Sequence, residues 1–87
     1  MKYETLTELK TGSISAGGTV AFTFTYTNNI DSVRALKKIE AGAANGAEIF
    51  RLTSYSISNN VLIATYTANI ASISTYYLFL LATVASY

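Results

Sequence analysis

All six Lys or Arg and all five Asp or Glu residues lie between Lys2 and Arg51, so the 36 residues from Leu52 to Tyr87 carry no charge. A solvated strand or helix ordinarily shows charge on its outer face. A half-chain with none must lie largely inside something. Its last element, Tyr76 to Ala85 (YYLFLLATVA), is apolar almost without interruption. The uncharged stretch Val61 to Ala85 is long enough for a helix across a hydrocarbon layer of about 30 Å. Against a membrane helix, Thr65, Thr67, Asn69, Ser72, Ser74 and Thr75 interrupt it, and no Lys or Arg follows it to set topology. At about 3.3 Å per residue, Tyr76 to Ala85 instead makes one strand, and unbroken apolarity marks a strand covered on both faces. One face would belong to the core of this domain and the other to a neighbouring subunit.

A chain of 87 residues has room for one domain, and at that size only roughly 60 to 65% of the unfolded surface becomes buried. Disulfides or a metal often reinforce so small a fold, but the chain has neither Cys nor His. Packing and oligomerisation are the remaining reinforcements. The net charge is +1, and the one basic cluster, Arg34, Lys37 and Lys38, is offset by Asp31 and Glu40. Nucleic-acid binding is therefore not expected, because phosphate backbones reward several uncompensated cations. The opening residues MKYETLTELK lack the apolar run of a signal peptide. The expectation is cytoplasmic synthesis and a destination in a virion or other extracellular assembly.

The clearest element is TVAFTFTYT, where Val20, Phe22, Phe24 and Tyr26 alternate with Ala21, Thr23, Thr25 and Thr27. Period-two alternation predicts a strand with one buried face. An earlier strand ends near Leu9 to Ile14, and Gly17-Gly18 turns the chain into the next one. Asn45-Gly46 and Asn59-Asn60 mark two further reversals. EIFRLTSYSIS, VLIATYT and the segment from Thr75 to Ala85 supply the remaining strands. DSVRALKKIEAGAA is ambiguous: Val33, Leu36 and Ile39 at intervals of three, with Asp31 as a cap and Gly42 as a stop, fit a short helix near 31–40. A hairpin through Asn45-Gly46, pairing residues 33–41 with 48–57, favours a strand. The expected fold is all-β, a six-stranded antiparallel sandwich of one domain over residues 1–87. Residues 1–10 would serve as an N-terminal arm able to reach a neighbour as an added strand.

No chemistry-bearing motif stands up. GSISAGGT, residues 12 to 19, has Gly18 where a phosphate loop needs Lys, and a strand follows it instead of a helix. Glu4, Glu8, Asp31, Glu40 and Glu48 have no calcium-loop spacing, and Glu4 with Glu8 reads as a solvated pair. A Ser or Thr nucleophile would find no His as base. No enzyme, metal or cofactor is expected. None of the six asparagines begins a glycosylation sequon.

The succession GGTVAFTFTYTN, VRALKKIEAG, RLTSYSISNNVLIATYTA, YYLFLLATVASY resembles small β-sandwich modules of virion proteins: phage and archaeal-virus fibres, spikes and capsid-decorating subunits. More loosely it is similar to H-type lectin domains, six-stranded sandwiches that oligomerise and bind sugars. The resemblance rests on strand order and Thr/Ser/Tyr texture over residues 12–87, and no ligand residue carries over from it. It implies a jelly-roll-like or H-type-lectin-like sandwich and a non-enzymatic structural subunit that self-assembles as a capsid, spike or filament component. Its partners would be copies of itself and other structural proteins. The alternatives are a carbohydrate-binding attachment module, using loops near Asn28, Asn29, Asn59 and Asn60, and a small membrane-associated protein. The candidate subunit-interface residues are Tyr77, Phe79, Leu81 and Tyr87.

Overall fold

The computed structural model describes residues 1–42, 48–69 and 73–87, and it is all-β. The strands are β1 (Lys2–Ile14), β2 (Thr19–Thr25), β3 (Ile30–Ala41), β4 (Phe50–Ser58), β5 (Val61–Ala68) and β6 (Ile73–Ser86). They form two three-stranded antiparallel sheets, sheet A in the order β1-β6-β3 and sheet B in the order β2-β5-β4. The expected six-stranded antiparallel sandwich is thus the observed architecture. Residues 2–10 lie in β1 and pair with Leu78 to Ser86 of the same chain.

The uncharged half now has a location. β5 and β6, both free of charge, are the central strands of the two sheets. In β6 the side chains of Tyr76, Leu78, Leu80, Ala82 and Val84 are buried, and in β5 those of Leu62, Ala64, Tyr66 and Ala68. Val20, Phe22 and Phe24 of β2 complete the core with Tyr26, Ile49 and Phe50. Phe22 meets Tyr66 edge to face at 5.9 Å between centroids and Phe50 meets Tyr76 so at 5.0 Å, while Phe22 and Phe24 lie parallel at 6.2 Å. Ala64 and Ala82, small and fully buried at the middle of the central strands, leave room for these rings. The Tyr26 hydroxyl crosses the sandwich and donates to the Ala82 carbonyl at 2.9 Å.

The segment that allowed a short helix near 31–40 is strand β3, the reading its sequence favoured, and the helix alternative is ruled out. Its helix-like spacing has a physical cause. β3 carries an irregularity between Val33 and Ala35, and the extra residue puts Val33 and Leu36, three apart, opposite Val84 and Ala82 on the core side. Ile39 instead pairs with Phe79 and points outward. The expected hairpin of residues 33–41 with 48–57 is also corrected, because β3 pairs with β6 and β4 with β5, in different sheets. The Asn45-Gly46 turn lies outside the described residues. Among the described residues only β4 and β5 are sequence neighbours that pair, through Asn59-Asn60, where Asn59 takes φ 54°. At the other end Gly17 takes φ 83°, and a Cβ on Gly18 would come within 2.8 Å of the Ile14 side chain, so the turn into β2 requires both glycines.

The crossings between sheets are tied down by carboxylates on the edge strands of sheet A. Glu4 of β1 accepts from the Thr27 N–H at 3.2 Å and the Thr27 hydroxyl at 3.3 Å, holding the connection from β2 to β3. Glu40 of β3 accepts from the backbone N–H groups of Ile49 and Phe50, where the chain enters β4, and from Lys38 at 2.6 Å. Burial works to raise the Glu40 pKa, but the Ile49 N–H, the Lys38 ammonium and the Phe50 N–H together outweigh it, so the carboxyl sits below its ordinary 4.5. Glu4 therefore has a bonded partner beyond the solvated pairing with Glu8 that its spacing suggested.

Two predictions come from these contacts. Burial, helped by the Glu4 charge, pushes the Tyr26 phenol from 10.0 to about 12. The unfolded chain releases this proton first, so stability should fall as pH rises from 10 towards 12, and Tyr26→Phe should flatten that fall. At neutral pH the same variant should lose about 1 kcal/mol in urea unfolding, the usual worth of one hydrogen bond. Glu40 has the opposite sign: its depressed pKa adds stability above the ordinary carboxyl range that disappears as pH falls through the folded value. Glu40→Gln should lower stability at pH 7 by about 1 to 3 kcal/mol and weaken the acid dependence of the melting temperature.

Candidate self-association surface

The outward side chains of the two sheets differ in kind. On sheet B, β2 presents Thr19, Ala21, Thr23 and Thr25, and β5 presents Val61, Ile63, Thr65 and Thr67. β4 adds Ser54, Ser56 and Ser58 opposite Thr65, Ile63 and Val61. This is a surface mainly of hydroxyls, with Val61 and Ile63 as its branched apolar side chains and Arg51, opposite Thr67, as a charge at its end. Thr53 and Thr67 share a hydrogen bond at 3.1 Å.

Sheet A presents rows built across three strands. Phe79 stands between Leu9 of β1 and Ile39 of β3, Tyr77 between Thr11 and Ala41, and Leu81 between Thr7 and Lys37. Thr83 stands between Thr5 and Ala35 and bonds the Thr5 hydroxyl at 2.7 Å. Leu9 is 55% exposed, Ile39 70% and Tyr77 51%, while Phe79 and Leu81 are half-buried beneath these flanking side chains. Lys37 is the one charge in these four rows. Five apolar side chains, Leu9, Ile39, Tyr77, Phe79 and Leu81, therefore stand together facing outward on one sheet, an arrangement that marks contact surfaces.

Of the candidate residues, Tyr77, Phe79 and Leu81 come together on this face. Tyr87 does not join them: it lies ten residues further along the chain, is 73% exposed, and its N–H donates to the Asn29 carbonyl at 3.1 Å. Leu9 and Ile39 were not among the candidates. Ile39 was concealed by the three-residue spacing that suggested a helix, and Leu9 lies in a charged segment, LTELK, that reads as solvated.

Of the asparagines named for sugar binding, Asn60 holds the fold with its side chain, and Asn29 and Asn59 with their backbone carbonyls. Asn60 donates from its side-chain amide to the Tyr26 carbonyl at 2.8 Å, and its carbonyl accepts from the Tyr26 N–H at 2.8 Å. The Asn59 carbonyl accepts from Ile30 N–H at 2.8 Å, which fastens the β4–β5 hairpin to the start of β3. Among the described residues no three His, Cys, Asp or Glu side chains gather to hold a metal ion, and no helix is long and apolar enough to cross a membrane. Compared with known proteins, the chain matches no protein-family model, no curated protein and no solved structure.

Proposed function

We propose that this chain is a non-enzymatic structural subunit that self-assembles, with the outward face of sheet A as its contact surface. The observation that carries this reading is the row Leu9–Phe79–Ile39 with Tyr77 and Leu81 beside it, set against the hydroxyl face of sheet B. A surface of Thr and Ser is suited to water. A row of Leu, Phe and Ile is suited to a copy of itself, and an isologous pairing about a two-fold axis needs nothing more than a self-complementary patch. The dense β-pairing agrees with a module that repeats within a larger object. A viral capsid, spike or filament is the object we favour, with copies of this chain and other structural proteins as partners.

The test is the mass in solution over a range of concentration, by light scattering or sedimentation. The wild-type chain should exceed its monomer mass of 9.4 kDa. Phe79→Lys should raise the dissociation constant by about 30-fold or more, the tenfold per 1.4 kcal/mol scale applied to a contact worth about 2 kcal/mol. Circular dichroism of the variant should keep its β signal, because the residue points away from the core. A wild-type chain that stays at 9.4 kDa at high concentration contradicts the proposal.

A further inference from the structure

The two long sides of the sandwich are closed differently. Along one side β1 lies over β2, and Val20, Phe22 and Phe24 are buried beneath it. Glu4, Leu6, Glu8 and Lys10 of β1 point to that side, with the Lys10 ammonium 5.5 Å from the centre of the Phe22 ring and paired to Glu8 at 3.2 Å. Along the other side β3 lies over β4, and the closure is incomplete. Register sets Leu52, Tyr55 and Ile57 of β4 opposite Tyr66, Ala64 and Leu62, all buried, so these three belong to the core side of sheet B. Nevertheless they are 37%, 53% and 38% exposed.

The same side has a backbone edge that is unprotected beyond Thr53. A sheet's edge strand offers free N–H and C=O groups, and inward-pointing charges, bulges or proline normally prevent another strand from adding there. β1 and β3 carry such charges, Glu4, Glu8 and Lys10 on one, Lys38 and Glu40 on the other. β4 is bulged at Thr53, between Leu52 and Ser54, but beyond that point it has no charge, no proline, and regular pairing with β5 from Ser54 to Ser58. The other edge of sheet B, β2, is also uncharged, but its core-side residues are already covered. β4 alone combines an open edge with core-side apolar residues left uncovered.

We propose that β4 pairs antiparallel with β4 of a second copy about a two-fold axis, joining two copies of sheet B into one continuous sheet. With Ser56 opposite its own counterpart, Tyr55 of each copy meets Ile57 of the other on the core side. Ser54 then meets Ser58 on the hydroxyl side. No charge enters the new strand pair between Leu52 and Ser58. The occupant is a second copy because the edge pairs with itself: a two-fold axis through Ser56 sets apolar Tyr55 against Ile57 and hydroxyl against hydroxyl, with no charge to bury, and continues the β2-β5-β4 sheet across the axis. This seam extends the self-assembly reading and shares with it only the identity of the partner. A face contact alone closes a dimer; face and edge together let the assembly grow.

A single cysteine in a cysteine-free chain reports the seam. Ser56→Cys should form a disulfide-linked dimer under mild oxidation about tenfold faster or more than Thr23→Cys on β2, because paired strands bring opposed Cα atoms within disulfide reach. Adding Ile57→Lys to Ser56→Cys should abolish the advantage. Adding Phe79→Lys, or Thr83→Lys should the first not fold by circular dichroism, should leave it intact. Ser56→Cys linking no faster than Thr23→Cys, or equally fast with Ile57→Lys, overturns the seam even if the wild-type chain assembles. Fast, Ile57-dependent linking that survives both face variants, together with a wild-type mass unaffected by Phe79→Lys, supports the seam and overturns the face.

Discussion

The packing of β6 against β5 across the core is the contact on which the rest of this structure depends. Each is the middle strand of its sheet, so each supplies the hydrogen-bonding partners for two others. Their inward side chains, Leu78, Leu80, Ala82 and Val84 against Leu62, Ala64 and Tyr66, are almost fully buried. A charge on the core side of either strand would have to be buried, at a cost of several kcal/mol. The absence of charge after Arg51 is thus explained in large part by position: two of the three strands in that half are central.

Nine of the eleven charged residues are on the two strands that flank β6. Glu4 and Glu40 are on opposite edges of sheet A, and each collects backbone N–H groups from a segment that passes between the sheets. Four of the five connections make that passage, so the fold has little local pairing to rely on. Buried backbone donors at such crossings need partners. A carboxylate placed on the edge strand supplies one and also guards that edge against another strand. Glu4 and Glu40 meet both requirements, and Glu8, Lys10 and Lys38, which also point inward from β1 and β3, add charge to the same two edges.

Much of this was legible in the sequence, and the unread part has a common cause. β2 declared itself by the alternation from Val20 to Phe24, β6 by its unbroken apolarity, and the β4–β5 hairpin by Asn59-Asn60. Each signal is local, set by residues that touch or turn within a few positions of one another. The pairing of β3 was not local. Its partner is β6, between 36 and 56 residues on (Ala41 with Tyr77, Ile30 with Ser86), and the bulge after Val33 converted a strand's period of two into a spacing of three. The contact surface was half legible for the same reason. Tyr77, Phe79 and Leu81 follow from one strand, whereas Leu9 and Ile39 join them only once β1 and β3 are known to flank it. Tyr87 shares their odd numbering but lies at the far end, beyond the point where Ala85 and Ser86 are both buried and strict alternation ends.

The claim that the outward face of sheet A is covered by another copy is tested most directly by side-chain footprinting of the tyrosines as concentration rises. Tyr77, 51% exposed on that face, should become protected as the assembly forms, while Tyr87, 73% exposed and away from it, should stay reactive. Tyr77 remaining as reactive in the assembled protein as in dilute solution would contradict the account.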